Sequence, residues 1–177
     1  MKKVLVIIVL LAFAAVTYLA NEGLFSKVLV TEGEMPGFRV MGIEHRGPYE
    51  KIGPAFERMS AIAKEKGLEP RMIGVYFDNP DMVAEDSLKS LAGMIVSVED
   101  SLVLASLPEL KPLIIPAGHA AISSFETDGM ASMIIGAVKS YPKLTEYVAE
   151  KGRGEDVNFV YEVYSEGQTQ YVMQFRD

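Results

Sequence analysis

A secondary-structure pattern that occurs twice constrains the fold more than anything else in the chain. Read for hydrophobic period and for breakers, the sequence gives strand, helix, strand, strand, and the same order again roughly 80 residues later. The first unit holds a strand at Phe38–His45, a helix opened by Gly47-Pro48 and ended by Gly67, and strands at Met72–Phe77 and Leu91–Val98. The second holds a strand at His119–Phe125, a helix capped by Thr127 or Asp128, and strands at Asn158–Ser165 and Thr169–Phe175. Two such units predict an α+β domain with its helices on one face of an antiparallel sheet. Laid over one another, VMGIEH meets AAISSF and IGVYF meets VYEVY, so Val75 takes the place of Glu162 and Phe77 that of Tyr164. A cleft between the related halves is the expected ligand site.

The helices are read from their apolar spacing. Ile52, Phe56, Met59 and Ile62–Ala63 make one stripe, and Pro54 delays or kinks the start of that helix. In the second helix Met130, Met133–Ile134, Ala137–Val138 and Tyr141 are the expected buried stripe. Pro142 is expected to break it ahead of a short helix through Leu144, Tyr147 and Val148. Ser26–Thr31 has the composition of a first extended piece. Pro108 and Pro112 make Leu102–Pro112 connecting chain.

Within the repeat, Asn158–Ser165 (NFVYEVYS) carries the chemistry. Side chains alternate along a strand, so Val160, Glu162 and Tyr164 share one face, and Tyr161 and Val163 the other. A carboxylate in an apolar and aromatic strand is costly to bury unpaired and needs a partner, water or a cationic ligand. A Glu among aromatic rings suits a pocket for an organic cation, through ion pairing and cation–π attraction. The plain alternative is a Glu on the wet face of an edge strand.

Composition removes several chemistries. The chain has 177 residues, enough for one well-buried domain, and no cysteine. Disulfides, thiolate metal sites and a cysteine nucleophile are therefore out. His45 and His119 are far apart and are read as structural or half-exposed, and no metalloprotease, P-loop or serine-hydrolase motif is present. No metal, cofactor or catalytic residue is expected. Setting aside Lys2 and Lys3 leaves 15 basic and 24 acidic residues, a net charge of −9 on the body. Such a body offers no footprint for nucleic acid and a weak attraction for cationic small molecules.

Val4–Ala20 (VLVIIVLLAFAAVTYLA) is uncharged and almost wholly apolar. As a helix it would run on the order of 25 Å, the lower end of what spans a bilayer. Residues 1–21 are thus read as a transmembrane anchor, 22–37 as a tether and 38–177 as the domain. Lys2 and Lys3 ahead of the span, against Glu22, Glu32 and Glu34 after it, place the body on the extracytoplasmic side. A cleaved signal peptide is the rival reading. A cut near Ala14 would leave a short apolar core, and Tyr18 is a poor residue before a cut at Ala20.

Four pieces in order, HRGPYEKIGPAFERM at His45–Met59, VYFDNPDMV at Val75–Val83, IPAGHAAISSF at Ile115–Phe125 and YEVY at Tyr161–Tyr164, resemble the GyrI-like domains. VYFDNPDMVAEDSLKSLAGMIVS and SYPKLTEYVAEK resemble animal reticulophagy receptors, which set an N-terminal membrane helix before such a domain. Those receptors carry an autophagy motif on a long tail. The present chain stops at Asp177, just after the last strand, so that role is not expected of it. They also face the cytosol, which leaves the orientation open.

The GyrI-like resemblance implies a cleft in which an acidic residue of a late strand meets cationic aromatic compounds. Glu162 matches that residue, Tyr164 follows it, and Tyr49 and Phe77 match aromatic positions. The resemblance thus implies a membrane-tethered module for small amphipathic, cationic or lipid-like molecules. A hydrolase of cyclopropane-containing compounds, using Glu162 on water, and a protein-interaction adaptor are the alternatives.

Overall fold

The computed structural model describes residues 2–176; the side chains of residues 2, 3, 5 and 6 lie outside the described set. The side chains of Lys2 and Lys3, on which the expected orientation rests, therefore fall outside it too. The elements are α1 (Lys2–Asn21), β1 (Val30–Met35), β2 (Phe38–Arg46), α2 (Gly53–Glu65), β3 (Met72–Tyr76), β4 (Lys89–Ile95), α3 (Val98–Leu104), β5 (Lys111–Ile115), β6 (Gly118–Glu126), α4 (Met130–Glu150), β7 (Val157–Ser165) and β8 (Gln168–Phe175). The fold is α+β. Eight strands form one antiparallel sheet in the order β1-β6-β8-β7-β3-β4-β2-β5.

That order forces the sheet to roll. Pro36-Gly37 joins β1, at one edge, to β2, next to the other edge; Pro116-Ala117 joins β5 and β6 in the same way. Two residues span only about 7 Å, so the ends of the sheet must meet. At the crossing a side chain on Gly37 would lie 3.1 Å from the Ala117 nitrogen. The inner face of the roll is one core: Met35, Phe38, Val40, Ile73, Val75, Ile115, Tyr161 and Val172 pack together from strands at both ends. Tyr161 donates to Gln174 at 2.9 Å, and Gln174 donates to the Pro116 carbonyl at 2.8 Å, so the buried polar atoms there are paired.

The helices lie on the outer face. α2 packs on β2 and β4, and α4 on β6 and β8, leaving the central β3–β7 ladder between them. The two halves are related about the pair Gly74–Glu162. Met35↔Gly118 answers Ile115↔Phe38, and Met72↔Met94 answers Val160↔Met173.

Several sequence expectations are corrected. Glu162 corresponds to Gly74 and Tyr164 to Tyr76, not to Val75 and Phe77. The offset between halves grows from 80 at Phe38/Gly118 to 88 at Gly74/Glu162, because α4 has 21 residues and α2 only 13. A slip of one residue exchanges the faces, and Val75 is indeed on the inner core.

α4 presents Ser132, Gly136, Ser140, Leu144 and Val148 to the sheet, while Met130, Ile134 and Val138 are 79%, 58% and 68% exposed. Small residues win this face because the rings of Phe125 and Tyr171 fill the space beneath; a side chain on Gly136 would come within 3.0 Å of Phe125. The helix also runs on through Pro142 rather than breaking. The stretch read as connecting chain holds α3 and β5, with Pro112 tolerated because β5 is an edge strand. α2 starts at Gly53, after a short turn of 3-10 helix at Tyr49–Lys51, and Pro54 sits in its first turn, where no N–H is needed.

The chain just past α1 is tied to α4. Lys139 of α4 donates to the carbonyls of Gly23, at 3.3 Å, and Leu24, at 2.6 Å. The run of α1 whose side chains are described without a break begins at Ile7. Among the described residues no helix is long and apolar enough to cross a membrane.

Candidate functional site

The β3–β7 ladder puts a carboxyl in the floor of the groove between α2 and α4. Along one rung of the outer face the residues run Ile43, Ala92, Gly74, Glu162, Tyr171, Ser123. Glu162 is 6% exposed. Its neighbours across the rung are a glycine, which leaves room, and a tyrosine. The strand alternation places it there, and the helices stand aside from it.

Tyrosine hydroxyls hold the carboxyl. Tyr141 of α4 donates to Oε1 at 2.7 Å, and Tyr164, two residues along β7, donates to Oε2. The Tyr76 hydroxyl converges on the same point: a side chain on Gly74 would lie 3.2 Å from it and 3.3 Å from that of Tyr164. Among the described residues no Lys, Arg or His forms an ion pair with Glu162.

Burial pushes the Glu162 carboxyl above the usual range, while hydrogen bonds from Tyr164, Tyr141 and Tyr76 hold it down. Burial, and then the nearby Glu162 charge, push the hydroxyls of Tyr76, Tyr141 and Tyr164 well above theirs. These phenols therefore stay protonated and act as donors at neutral pH.

Rings wall the groove edge-to-face. Phe56 of α2 meets Tyr164 at 5.4 Å between centroids, and Tyr49, Tyr76, Tyr141 and Tyr171 follow one another at 4.9, 6.4 and 5.7 Å. Beside the groove lies a concavity of about 430 Å³ lined by Ser60, Ala63, Lys64, Leu68 and Met72. Met72 pairs with Tyr164 across the ladder, so the concavity adjoins the ring wall. Ser90, one rung from Gly74 and opposite Tyr76, has a buried hydroxyl with no hydrogen-bond partner.

Of the four residues expected from the sequence, the structure brings three to this place. Glu162 and Tyr164 form its centre. Tyr49 stands one ring further out against Tyr76, with its hydroxyl donating to the Asp78 carbonyl at 2.7 Å. Phe77 lies beyond the end of β3 and is 47% exposed, away from the carboxyl; Tyr76 holds the position assigned to it. Tyr76 and Tyr171 are not singled out in the sequence, and Tyr141 is read there only as part of a buried helix stripe. Tyr76 carried a readable signal, since it alternates with Gly74 on β3. Among the described residues no group of three His, Asp or Glu side chains could hold a metal ion.

A model of the GyrI-like small molecule binding domain matches residues 30–172, which takes in α2, α3, α4 and the rolled sheet except the last three residues of β8. The chain belongs to this family. Human Testis-expressed protein 264 is 28% identical over 156 residues, 83% of this chain and 47% of its own length. A DNA gyrase inhibitor of Edwardsiella ictaluri is 39% identical over 46 residues, 25% of this chain and 30% of its own. The chain thus spans about half the length of the human relative.

Solved structures share the fold at low identity. An integron cassette protein from Vibrio cholerae matches at TM-score 0.57 and 15% identity, covering 85% of this chain and 100% of its own. The C-terminal domain of EcmrR matches at 0.57 and 15%, covering 85% and 98%. A protein solved with tetraphenylphosphonium bound matches at 0.55 and 8%, covering 84% and 94%.

Proposed function

We propose that this GyrI-like domain binds small amphipathic organic cations in the groove between α2 and α4, with Glu162 as counter-ion and the tyrosines as a cage. One observation carries the reading: a nearly fully buried carboxyl whose partners among the described residues are phenol hydroxyls and none a cation. A cationic guest would supply the missing positive charge, and the ring faces of Tyr76, Tyr141, Tyr164 and Phe56 would add cation–π attraction. The tetraphenylphosphonium held by one structural neighbour is a guest of this class. Titration calorimetry of tetraphenylphosphonium into the wild type and Glu162→Gln tests it. Binding that is lost or strongly weakened in the variant is expected; equal affinity would refute the role of the carboxylate.

A second reading uses the same atoms. A carboxyl raised by burial is suited to take a proton from water, and the phenols around it can donate to a developing oxyanion. The domain would then hydrolyse reactive small molecules. Turnover of cyclopropane-bearing compounds, abolished by Glu162→Gln, separates this reading from binding alone.

The same proposal seats α1 in a bilayer and the domain on the extracytoplasmic side. Val4, Ile7, Ile8, Val9, Leu10, Leu11, Phe13 and Val16 are each more than half exposed, around the whole helix. A helix whose described side chains from Ile7 to Tyr18 are exposed and almost all apolar suits a lipid surround. At 1.5 Å per residue Lys2–Asn21 reaches about 30 Å. The charge asymmetry on either side of the span supports the orientation.

A further inference from the structure

We infer that the domain touches the bilayer a second time, through the outward apolar stripe of α4, so that this helix lies on the lipid surface. The inference rests on the proposed seating of α1 in the membrane and adds a contact to it. Met130, Ile134 and Val138 follow one another at intervals of four along α4, each well over half exposed. They form a strip about 12 Å long on one side of the helix. Beyond Pro142 the same side turns polar, with Thr145, Glu146 and Glu150.

The exit of α1 fixes where this strip lies. The Phe125 ring is pinched between two glycines: a side chain on Gly23 would come within 2.6 Å of it, and one on Gly136 within 3.0 Å. Lys139, next to Val138, donates to the carbonyls of Gly23 and Leu24. The chain just past α1 is thereby fastened to the middle of α4, beside the turns that carry Ile134 and Val138. Past that point Phe25 is 71% and Leu29 75% exposed. Exposed apolar residues thus stand on α1, at Phe25 and Leu29, and on α4 beside this attachment. With α1 spanning the bilayer, its fastened end holds that stripe at the headgroup level.

Lipid rather than protein is the occupant that this attachment to the proposed membrane helix selects. The body carries a net charge of −9, so anionic headgroups would repel it, and the contact is apolar insertion into zwitterionic lipid. An interfacial helix of this kind sinks its apolar side about 5–10 Å into the headgroup and acyl boundary.

The chain has no cysteine, which makes single-site labelling clean. The full chain is reconstituted in phosphatidylcholine vesicles with an environment-sensitive fluorophore at Ile134→Cys, Val138→Cys, Thr145→Cys or Val9→Cys. Quenching by doxyl-labelled lipid is then compared with quenching by aqueous iodide. Labels at 134 and 138 are expected to be quenched by the lipid and to lose most of their iodide access, at low and high salt alike. The label at 145 is expected to stay open to iodide. A label at Val9 quenched by lipid while 134 and 138 remain as open to iodide as 145 overturns the docking and leaves the anchor standing. A label at Val9 that itself sits in water overturns both. Labels at 134 and 138 shielded from iodide yet untouched by doxyl lipid assign the stripe to a second protein copy and also overturn the docking.

Discussion

Gly74 faces Glu162 directly across the β3–β7 ladder, on the axis that relates the two halves of the domain. One duplicated position thus carries nothing and the other a carboxyl. The space left by the first is filled by the hydroxyls of Tyr76 and Tyr164, themselves a related pair. The site is asymmetric chemistry on a symmetric frame, and the glycine is part of it. In Gly74→Ala the new methyl would stand 3.2 Å from the Tyr76 hydroxyl, 3.3 Å from that of Tyr164 and 3.3 Å from the Phe56 ring. Those groups must give by a few tenths of an ångström. Alanine also relieves the entropy cost of a glycine in a strand, about 0.5–1 kcal/mol. The melting temperature is therefore expected to move little while tetraphenylphosphonium affinity falls, measured by thermal denaturation and calorimetry on the same preparation.

The buried carboxyl makes stability depend on pH. Burial raises the folded-state pKa of Glu162 above its ordinary 4.5. The folded chain therefore prefers the protonated form, so the contribution is fully present below that ordinary value and is lost as pH rises through the folded pKa. Glu162→Gln imitates the protonated state at every pH. It is expected to match the wild type in acid and to be at least as stable at neutral pH, by about 1.4 kcal/mol for each unit of upward shift. Urea denaturation of both proteins across pH reads the difference. A wild type that gains on the variant as pH rises would show a depressed, not a raised, carboxyl.

Ligand binding should follow the opposite course. A cation pairs with the ionised carboxyl only, so binding expels the proton that burial favours. Tetraphenylphosphonium affinity is expected to climb as pH rises above the ordinary carboxylate range and to level off once Glu162 is ionised in the free protein. Proton release should be visible as a buffer-dependent binding enthalpy. In Tyr141→Phe one hydrogen bond to the carboxylate is lost, worth about 1.5–3 kcal/mol for a charged acceptor. The rise should then shift to higher pH. An affinity flat with pH would mean that the carboxyl does not meet the guest.

The sequence made some of this legible and hid the rest for definite reasons. Strand alternation is local, so the face shared by Glu162 and Tyr164, and the inner face of Tyr161 and Val163, could be read from eight letters. The stripe of α2 was equally plain, because Met59, Ile62 and Ala63 are apolar and buried. α4 misled because its buried side is made of Ser132, Gly136 and Ser140, small residues beneath large rings, while its most apolar side faces outward. Hydrophobic period reports the greasier side, not the better-packed one. The partner assignment failed by one residue at Val75 and Phe77, since the extra length of α4 is invisible until its continuation through Pro142 is seen. The exchange of β1 and β5 between halves had no local signal at all. It follows from the two crossing links, Pro36-Gly37 and Pro116-Ala117.

Gly136 is where the site and the chain just past α1 can be disturbed together. A methyl there would lie 2.5 Å from the Tyr171 hydroxyl and 3.0 Å from Phe125. The hydroxyl donates to the Met133 carbonyl at 2.9 Å, so it cannot swing aside without losing that bond. Gly136→Ala gains about 1 kcal/mol in helix propensity but overpacks the interface, at a typical cost of about 1–3 kcal/mol. The expected result is a loss of stability up to about 2 kcal/mol. α4 must lift from the sheet, which draws Tyr141 away from Glu162 and loosens Phe125 from Gly23. Tetraphenylphosphonium affinity should fall, and amide exchange at Leu24 and Ser26 should quicken although neither residue touches the groove. Unchanged exchange there with weakened binding would separate the tether from the site. Both changing in step would show that α4 links them.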